Sequence, residues 1–173
     1  MPQVLPDSVM PYYIPKKDET VFQDIVASFS PQSQGNLAKL RAAHQTEINR
    51  VSYGYAEPLA QAPGQYMVFS FADGAPVLTG YAAGYPVLFS GQLQIIITEV
   101  SVLEAYRARG IGCQLLETLE FIVCHPRIVH APDQRRAASL RAIVPSGNRW
   151  AKRCITRAGY DIVATGEEYL YRR

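Results

Sequence analysis

The stretch "ITEVSVLEAYRARGIGCQLLETLEFIV", Ile97 to Val123, decides how this chain is read. It opens on an apolar, β-branched run, crosses "RARGIG" and ends in a leucine-spaced segment. Extended upstream to "LQIIITEVSV", the run has little alternation of polar and apolar residues, which predicts a strand buried on both faces. The downstream part sets Leu115, Leu116, Leu119, Ile122 and Val123 on one side and Glu117 and Glu120 on the other, as an amphipathic helix does. The first N–H groups of a helix have no partner inside it and point outward with the positive end of the helix dipole. A phosphate placed there collects several backbone hydrogen bonds. Glycines at 110 and 112 would let a bulky anion near the backbone. Arg107 and Arg109 add guanidinium donors that suit phosphate oxygens. Strand, arginines, glycines and helix together predict a diphosphate cradle. No "GK[ST]" follows, so it is not a Walker A loop, and the three-glycine spacing of a dinucleotide fingerprint is absent.

Working outward, "QYMVFSF" and "PVLTGYAAGYPVLF" read as strands joined by the turn "ADGAP", and "SGQ" turns the chain into the strand described above. Upstream, "DETVFQDIVASFS" carries acidic residues ahead of helically spaced Val21, Phe22, Ile25, Val26 and Phe29. Pro31 and Gly35 are expected to break that helix, and "NLAKLRAAHQTEINR" to form a second one. "SYGYAEPLAQAPG" is a loop by composition. Residues 1 to 11 are proline-rich and expected to be irregular, with a short strand at Tyr12 to Ile14. Downstream, "SLRAIV" is a strand, "SGNRWAKRCITRAGY" a short helix with a glycine stop, and "YDIVATGEEYLYRR" a terminal hairpin. The order of helix, helix, three-strand meander, helix, strand, helix and hairpin calls for a mixed sheet flanked by helices.

The bulk numbers narrow the class. A chain of 173 residues with 48% hydrophobic and 18% charged residues is long enough for one domain with its own core, and is not disordered. A formal net charge of +2 is too small to argue for nucleic acid or an anionic membrane. Cys113, Cys124 and Cys154 form no CxxC pair or Cys/His cluster, so neither zinc nor a disulfide framework is expected. Reduced thiols in a cytoplasmic protein are the simpler expectation. No signal peptide and no apolar run of membrane-spanning length is read.

At this point the sequence resembles the GCN5-related N-acetyltransferase (GNAT) superfamily. "VSVLEAYRARGIGCQLLETLEFI" looks like its strand, pyrophosphate loop and helix, with Arg107, Gly110 and Gly112 on the Q/R-x-x-G-x-G/A positions. "NRWAKRCITRAGYDIV" is similar to the family's second element through Asn148, Ala151, Gly159 and Tyr160. "FADGAPVLTGYAAGY" resembles the hairpin ahead of the motif strand. The resemblance covers about residues 65 to 163, and the first 60 only by element order.

The resemblance implies an α/β fold of the mixed α+β kind: a central, mostly antiparallel sheet, splayed at the cofactor site and flanked by helices, in one acyl-CoA N-acyltransferase domain over 1–173. It implies an N-acetyltransferase with acetyl-CoA as co-substrate and no metal. Val100 and Val102 would offer backbone groups to the pantetheine. Arg107, Arg109, Gly110, Ile111, Gly112 and Cys113 would hold the pyrophosphate, and Asn148 would reach the cofactor arm. The amine must lose a proton before it attacks the thioester. Glu99 is the only acid in "IIITEVSV" and the first candidate for that role; otherwise it pairs with an arginine or orients water. Glu57 is the weaker candidate.

Many members of the family place a tyrosine seven residues after the second-element asparagine, as acid toward the CoA sulfur. Here that position is Ile155. Cys154 beside it is a weak donor and reads as a small buried hydrophobe. Tyr160, Tyr169 and Tyr171 are the alternatives, with Tyr160 better suited to packing. His44, His125 and His130 are isolated and read as surface or loop residues. Arg127, Arg135, Arg136 and Arg141 read as a solvated loop before they read as a basic rim. The acceptor is expected to be a small-molecule or peptide amine. Nucleic acid enters only as a possible aminoacyl-tRNA substrate, no membrane partner is expected, and homodimerisation is common in the family. Ile155 keeps a second reading open, a non-catalytic acyl-CoA-binding module. An arginine-led nucleic-acid-binding domain is the third, against which the small net charge and the lack of a basic, aromatic stripe count.

Overall fold

The computed structural model describes residues 8–51, 61–72, 76–89, 91–135, 137, 139–145, 149–164 and 168–172. The elements are β1 (Val9–Pro15), α1 (Glu19–Ala27), α2 (Pro31–Val51), β2 (Gly64–Phe71), β3 (Leu78–Phe89), β4 (Gln92–Val102), α3 (Ile111–Cys124), β5 (Ser139–Pro145), α4 (Arg149–Arg157), β6 (Asp161–Ala164) and β7 (Glu168–Arg172). Short 3₁₀ turns lie at Glu104–Tyr106 and Pro126–Val129. The seven strands make one sheet in the order β1-β2-β3-β4-β5-β7-β6. Every pairing is antiparallel except β4 with β5. This is the mixed sheet flanked by helices that the element order called for, and it is mostly antiparallel, as the resemblance implied.

Two boundaries differ from the sequence reading, both at prolines. Strand β1 starts at Val9, inside the segment expected to be irregular, and pairs with β2 along its length. It is the edge strand, where the N–H that Pro11 lacks need not be matched on the outer side. Helix α2 starts at Pro31 instead of after Gly35. Pro at the first helical position is preset for the helix and gives up an N–H with no intrahelical partner. Buried Ser33 then ties this first turn to the sheet: its hydroxyl donates to Pro76 O (3.0 Å) and accepts from Leu78 N–H (2.9 Å). Asn36 Nδ2 donates to Leu78 O (3.0 Å), so the start of β3 is held on two sides.

The sheet buries both faces. On one, Ala82, Ile95, Ile97 and Val102 pack with Leu115, Leu116, Leu119 and Ile122 of α3. On the other, Phe69, Tyr81 and Ala83 pack with Leu37 and Leu40 of α2 and Phe29 ahead of it. Strand β4 therefore runs between two cores, as its unbroken apolar run implied.

Its register shifts once. Gly84 pairs with Ile97 but Ala83 pairs with Glu99, so Thr98 is an extra residue, a β-bulge. Without it, Glu99 would share a face with Ile97. With it, Glu99 and Ser101 face the α2 side beside Ala83 and Tyr81, while Val100 and Val102 stay on the α3 side. The bulge also marks where β4 parts from β5. The parallel pairing covers Gln94↔Ser139 to Ile97↔Ala142 and ends there, although β4 runs on to Val102 and β5 to Pro145. No helix among the described residues is long and apolar enough to cross a membrane.

Candidate active site

Beyond the bulge, the end of β4 and the start of α3 enclose a cavity of about 350 Å³. Leu103 N–H donates to Thr79 O (2.8 Å), so Ser101 and Leu103 turn their backbone groups toward β3. By the alternation of an antiparallel pair, Val100 and Val102 turn theirs the other way, toward the gap with β5. One of those groups is used: Arg107 Nε donates to Val102 O (3.1 Å). This holds the guanidinium in the cavity wall, 5.7 Å from the centre of the Trp150 ring.

The turn ends with Gly110 at φ 79°, where a side chain would be strained, so this glycine is required by the backbone itself. The first intrahelical bond of α3 runs from Gln114 N–H to Gly110 O (3.0 Å). The N–H groups of Ile111, Gly112 and Cys113 thus have no acceptor within the helix. No side chain caps them, and the first turn holds no acidic residue. From the facing helix α4, Arg153 and Arg157 join Arg107 in the cavity lining, in which no carboxylate takes part among the described residues. Free N–H groups, a helix dipole and three guanidinium groups make a strongly anion-seeking cavity. A pyrophosphate-bearing cofactor fits it, and a neutral one would waste its charge.

Gly112 has a packing reason besides the one the sequence implied. A Cβ there would come within 2.5 Å of Cys154 Sγ and 3.0 Å of Trp150 Cζ2. The missing side chain lets α3 and α4 touch. Cys113 and Cys154 sit across the same contact with Sγ atoms 4.0 Å apart. Burial, and then the neighbouring Cys113, push the Cys154 thiol up to about 12, so it behaves as the small hydrophobe expected.

Glu99 lies on the opposite face of the sheet, 7% exposed. Tyr81 and Tyr85 flank its partner Ala83 on that face of β3. The Tyr81 hydroxyl is buried near Glu99 and Ser101, without a hydrogen bond of normal geometry among the described residues. Its pKa is raised, by burial first and the Glu99 charge second. The same two causes push Tyr85 up to about 12, against the opposing pull of Arg41 on α2. The Arg41 guanidinium itself sits 4.6 Å above the ring of Phe22 on α1.

The expected residues thus divide. Val102, Arg107, Gly110, Ile111, Gly112 and Cys113 meet around one cavity, and half-buried Val100 packs beside it. Arg109 does not join them; it stacks over Tyr106 at 5.2 Å. Asn148 and Glu57 lie outside the described residues, as do the side chains of His44, Tyr169 and Tyr171. Ile155 is 2% exposed and Tyr160 3% exposed, both in the core under α3. Arg135 pairs with Asp133 (2.7 Å), and neither it nor Arg127 or Arg141 lines the cavity. Arg153 and Arg157 were missed. The signal was present in their spacing of four, which puts both on one helix face with Trp150. Among the described residues, no three His, Cys, Asp or Glu side chains come together as metal ligands would.

Comparison with known proteins agrees with this fold. A bisubstrate-analogue complex of NAA60 from Arabidopsis thaliana superposes with a TM-score of 0.53 at 16% identity, covering 95% of this chain and 97% of that one. Arabidopsis thaliana Naa50, bound to the bisubstrate analogue CoA-Ac-MVNAL, gives 0.50 at 17% identity, covering 96% and 98%. RimL, a ribosomal L7/L12 alpha-N-protein acetyltransferase, gives 0.52 at 12% identity, covering 98% and 95%. At such identities the likeness is one of fold. Comparison with curated proteins finds no significant match. The model of the acetyltransferase (GNAT) family matches residues 24–160, most of the chain, and the chain therefore belongs to the GNAT family of acetyltransferases.

Proposed function

We propose that this chain is a single-domain, cytoplasmic N-acetyltransferase that moves an acetyl group from acetyl-CoA to a primary amine by direct attack. One observation carries the reading. The bulge at Thr98 stands where β4 parts from β5, turns Glu99 to one face, and leaves Val100 and Val102 without pairing to β5 on the strand that leads to the arginine cavity. Acetyl-CoA supplies the acyl group as a thioester. The N–H groups at the start of α3, with Arg107, Arg153 and Arg157, hold its pyrophosphate. Val100 and Val102 present backbone groups along the gap, and a backbone N–H there stabilises the oxygen of the attacked carbonyl. Glu99, directly or through one water, takes the proton that the amine loses. In sum the C–S bond breaks, the N–C bond forms, and a proton from the amine replaces the acyl group on sulfur.

The buried Ile155 donates nothing, so the sulfur must be protonated by another group or leave as thiolate. This also keeps a non-catalytic acyl-CoA-binding module in view. The two are separated by incubating the protein with acetyl-CoA and a panel of amines and peptides, following free thiol and product mass. Acetylated product supports the enzyme. Tight CoA binding without thiol release supports the module.

A further inference from the structure

A second cavity, of about 390 Å³, opens between the end of β1, the first turns of α1 and the start of β2. Tyr85 of β3 lines it together with Ile14, Phe22 and Ala62. Tyr85 stands two residues along β3 from Ala83, the register partner of Glu99, and on the same face. That is about 7 Å at the rise of an extended strand. The Glu99 charge helps raise the Tyr85 pKa, after burial. The cavity is therefore next door to the candidate base, on the face of the sheet away from the arginine cavity.

Its chemistry is the reverse of the first cavity. Ile14, Pro15, Phe22, Ala62 and Tyr85 give it aliphatic and aromatic walls, with the neutral amides of Gln23 and Gln65 beside them. Among the described lining residues two are charged, Lys16 and Asp18, both exposed and of opposite sign. The Asp18 carboxylate is already engaged in capping α1, accepting from the N–H of Thr20 at 3.2 Å and from its hydroxyl. The described lining thus carries no net charge with which to select an ionic group. Its volume is near the lower end of ligand pockets, roughly 300 to 1,000 Å³, which suits one large side chain or a small arylalkyl group.

The geometry points to this cavity as the acceptor subsite, where an apolar or aromatic group carried next to the primary amine is seated while the amine lies toward Glu99. The inference rests on the transferase reading above and adds the class of acceptor. Two sources share that chemistry, the N-terminus of a peptide and a free arylalkylamine.

The test measures thiol release at saturating acetyl-CoA. One arm uses short peptides that differ only in their first residue: leucine, phenylalanine, serine, aspartate or lysine. The other compares 2-phenylethylamine with ethanolamine. In at least one arm kcat/KM should favour the apolar acceptor by about tenfold or more, the discrimination a hydrophobic pocket supplies; the better arm identifies the source. Gln23 is an exposed residue of α1 in the cavity lining. Gln23→Trp should narrow the mouth and raise KM for the preferred acceptor about tenfold, with the acetyl-CoA Kd and the unfolding midpoint unchanged. Equal rates for all acceptors, a preference for charged ones, or an unchanged KM in the folded variant overturns the subsite and leaves the transferase reading standing. No thiol release with any acceptor overturns both.

Discussion

A methyl group at Gly112 would lie 2.5 Å from Cys154 Sγ and 3.0 and 3.2 Å from Trp150 Cζ2 and Cη2. Carbon atoms in favourable contact sit at about 3.5–4.0 Å. Gly112→Ala must therefore push α3 and α4 apart or turn Cys154 aside. Overpacking of this kind costs about 1–3 kcal/mol. The better helix propensity of alanine returns up to about 1 kcal/mol, less in a first turn. The net loss should be about 1–2 kcal/mol by urea unfolding. Cys154→Ala removes the shortest contact, so the double variant should show a favourable coupling of about 1 kcal/mol or more, as for residues in direct contact. Acetyl-CoA affinity should follow the same pattern, because α3 and α4 both line the arginine cavity. A Gly112→Ala protein as stable as wild type, or strictly additive variants, would refute the helix contact. A stable double variant that still fails to bind acetyl-CoA would give Gly112 back to the anion.

The other expectations concern the two faces of β4 and the buried phenols. Arg107→Ala, Arg153→Ala and Arg157→Ala should each weaken acetyl-CoA binding by about 1–3 kcal/mol, the range for hydrogen bonds to charged groups. Arg109→Ala should change it less than about twofold by calorimetry, since that side chain stacks on Tyr106 instead. Glu99→Gln should lower kcat by ~10²–10⁴-fold with acetyl-CoA affinity retained, and should abolish the acidic limb of the pH–rate profile; a wild-type profile would exclude Glu99. Tyr66 and Tyr85 are both pushed up to about 12, by burial first. The folded state therefore holds these protons more tightly than the unfolded chain, whose tyrosines titrate near 10. Their contribution is complete below pH ~10 and is lost as pH rises toward about 12, so the urea midpoint should fall across that window.

Most of the fold was legible because its signals are local and strong. The apolar run of β4, the leucine face of α3 and the glycine turn between them each follow from residues adjacent in sequence. The prolines misled for the same reason. Pro31 looks like a break, yet it starts a helix whose first turn is held by Ser33 to a strand more than forty residues away. The bulge at Thr98 has no composition of its own, since only the partner strand defines the count. With it went the facing of Glu99, whose role could be guessed from its lone charge but not its surroundings of Tyr81, Tyr85 and Arg41. Arg153 and Arg157 were visible as letters, but their meeting with Arg107 needs the packing of α4 on α3. Gly112 fitted a familiar pattern, but its packing against Cys154 and Trp150 is not contained in that pattern.

The parallel seam of four residue pairs between β4 and β5 has a mechanical consequence. It makes the seven-stranded sheet two panels, β1 to β4 and β5 to β7, stitched along one short edge. Amide hydrogens of the stitched segment, Gln94 to Ile97, can leave only when the panels or their cores come apart. The amides of Val100 and Val102, in the same strand but past the stitching, should exchange with solvent much sooner. A single strand thus carries a step in protection at Thr98, and a cofactor arm entering there would be held by backbone that is already unlaced and so demands no unfolding to receive it.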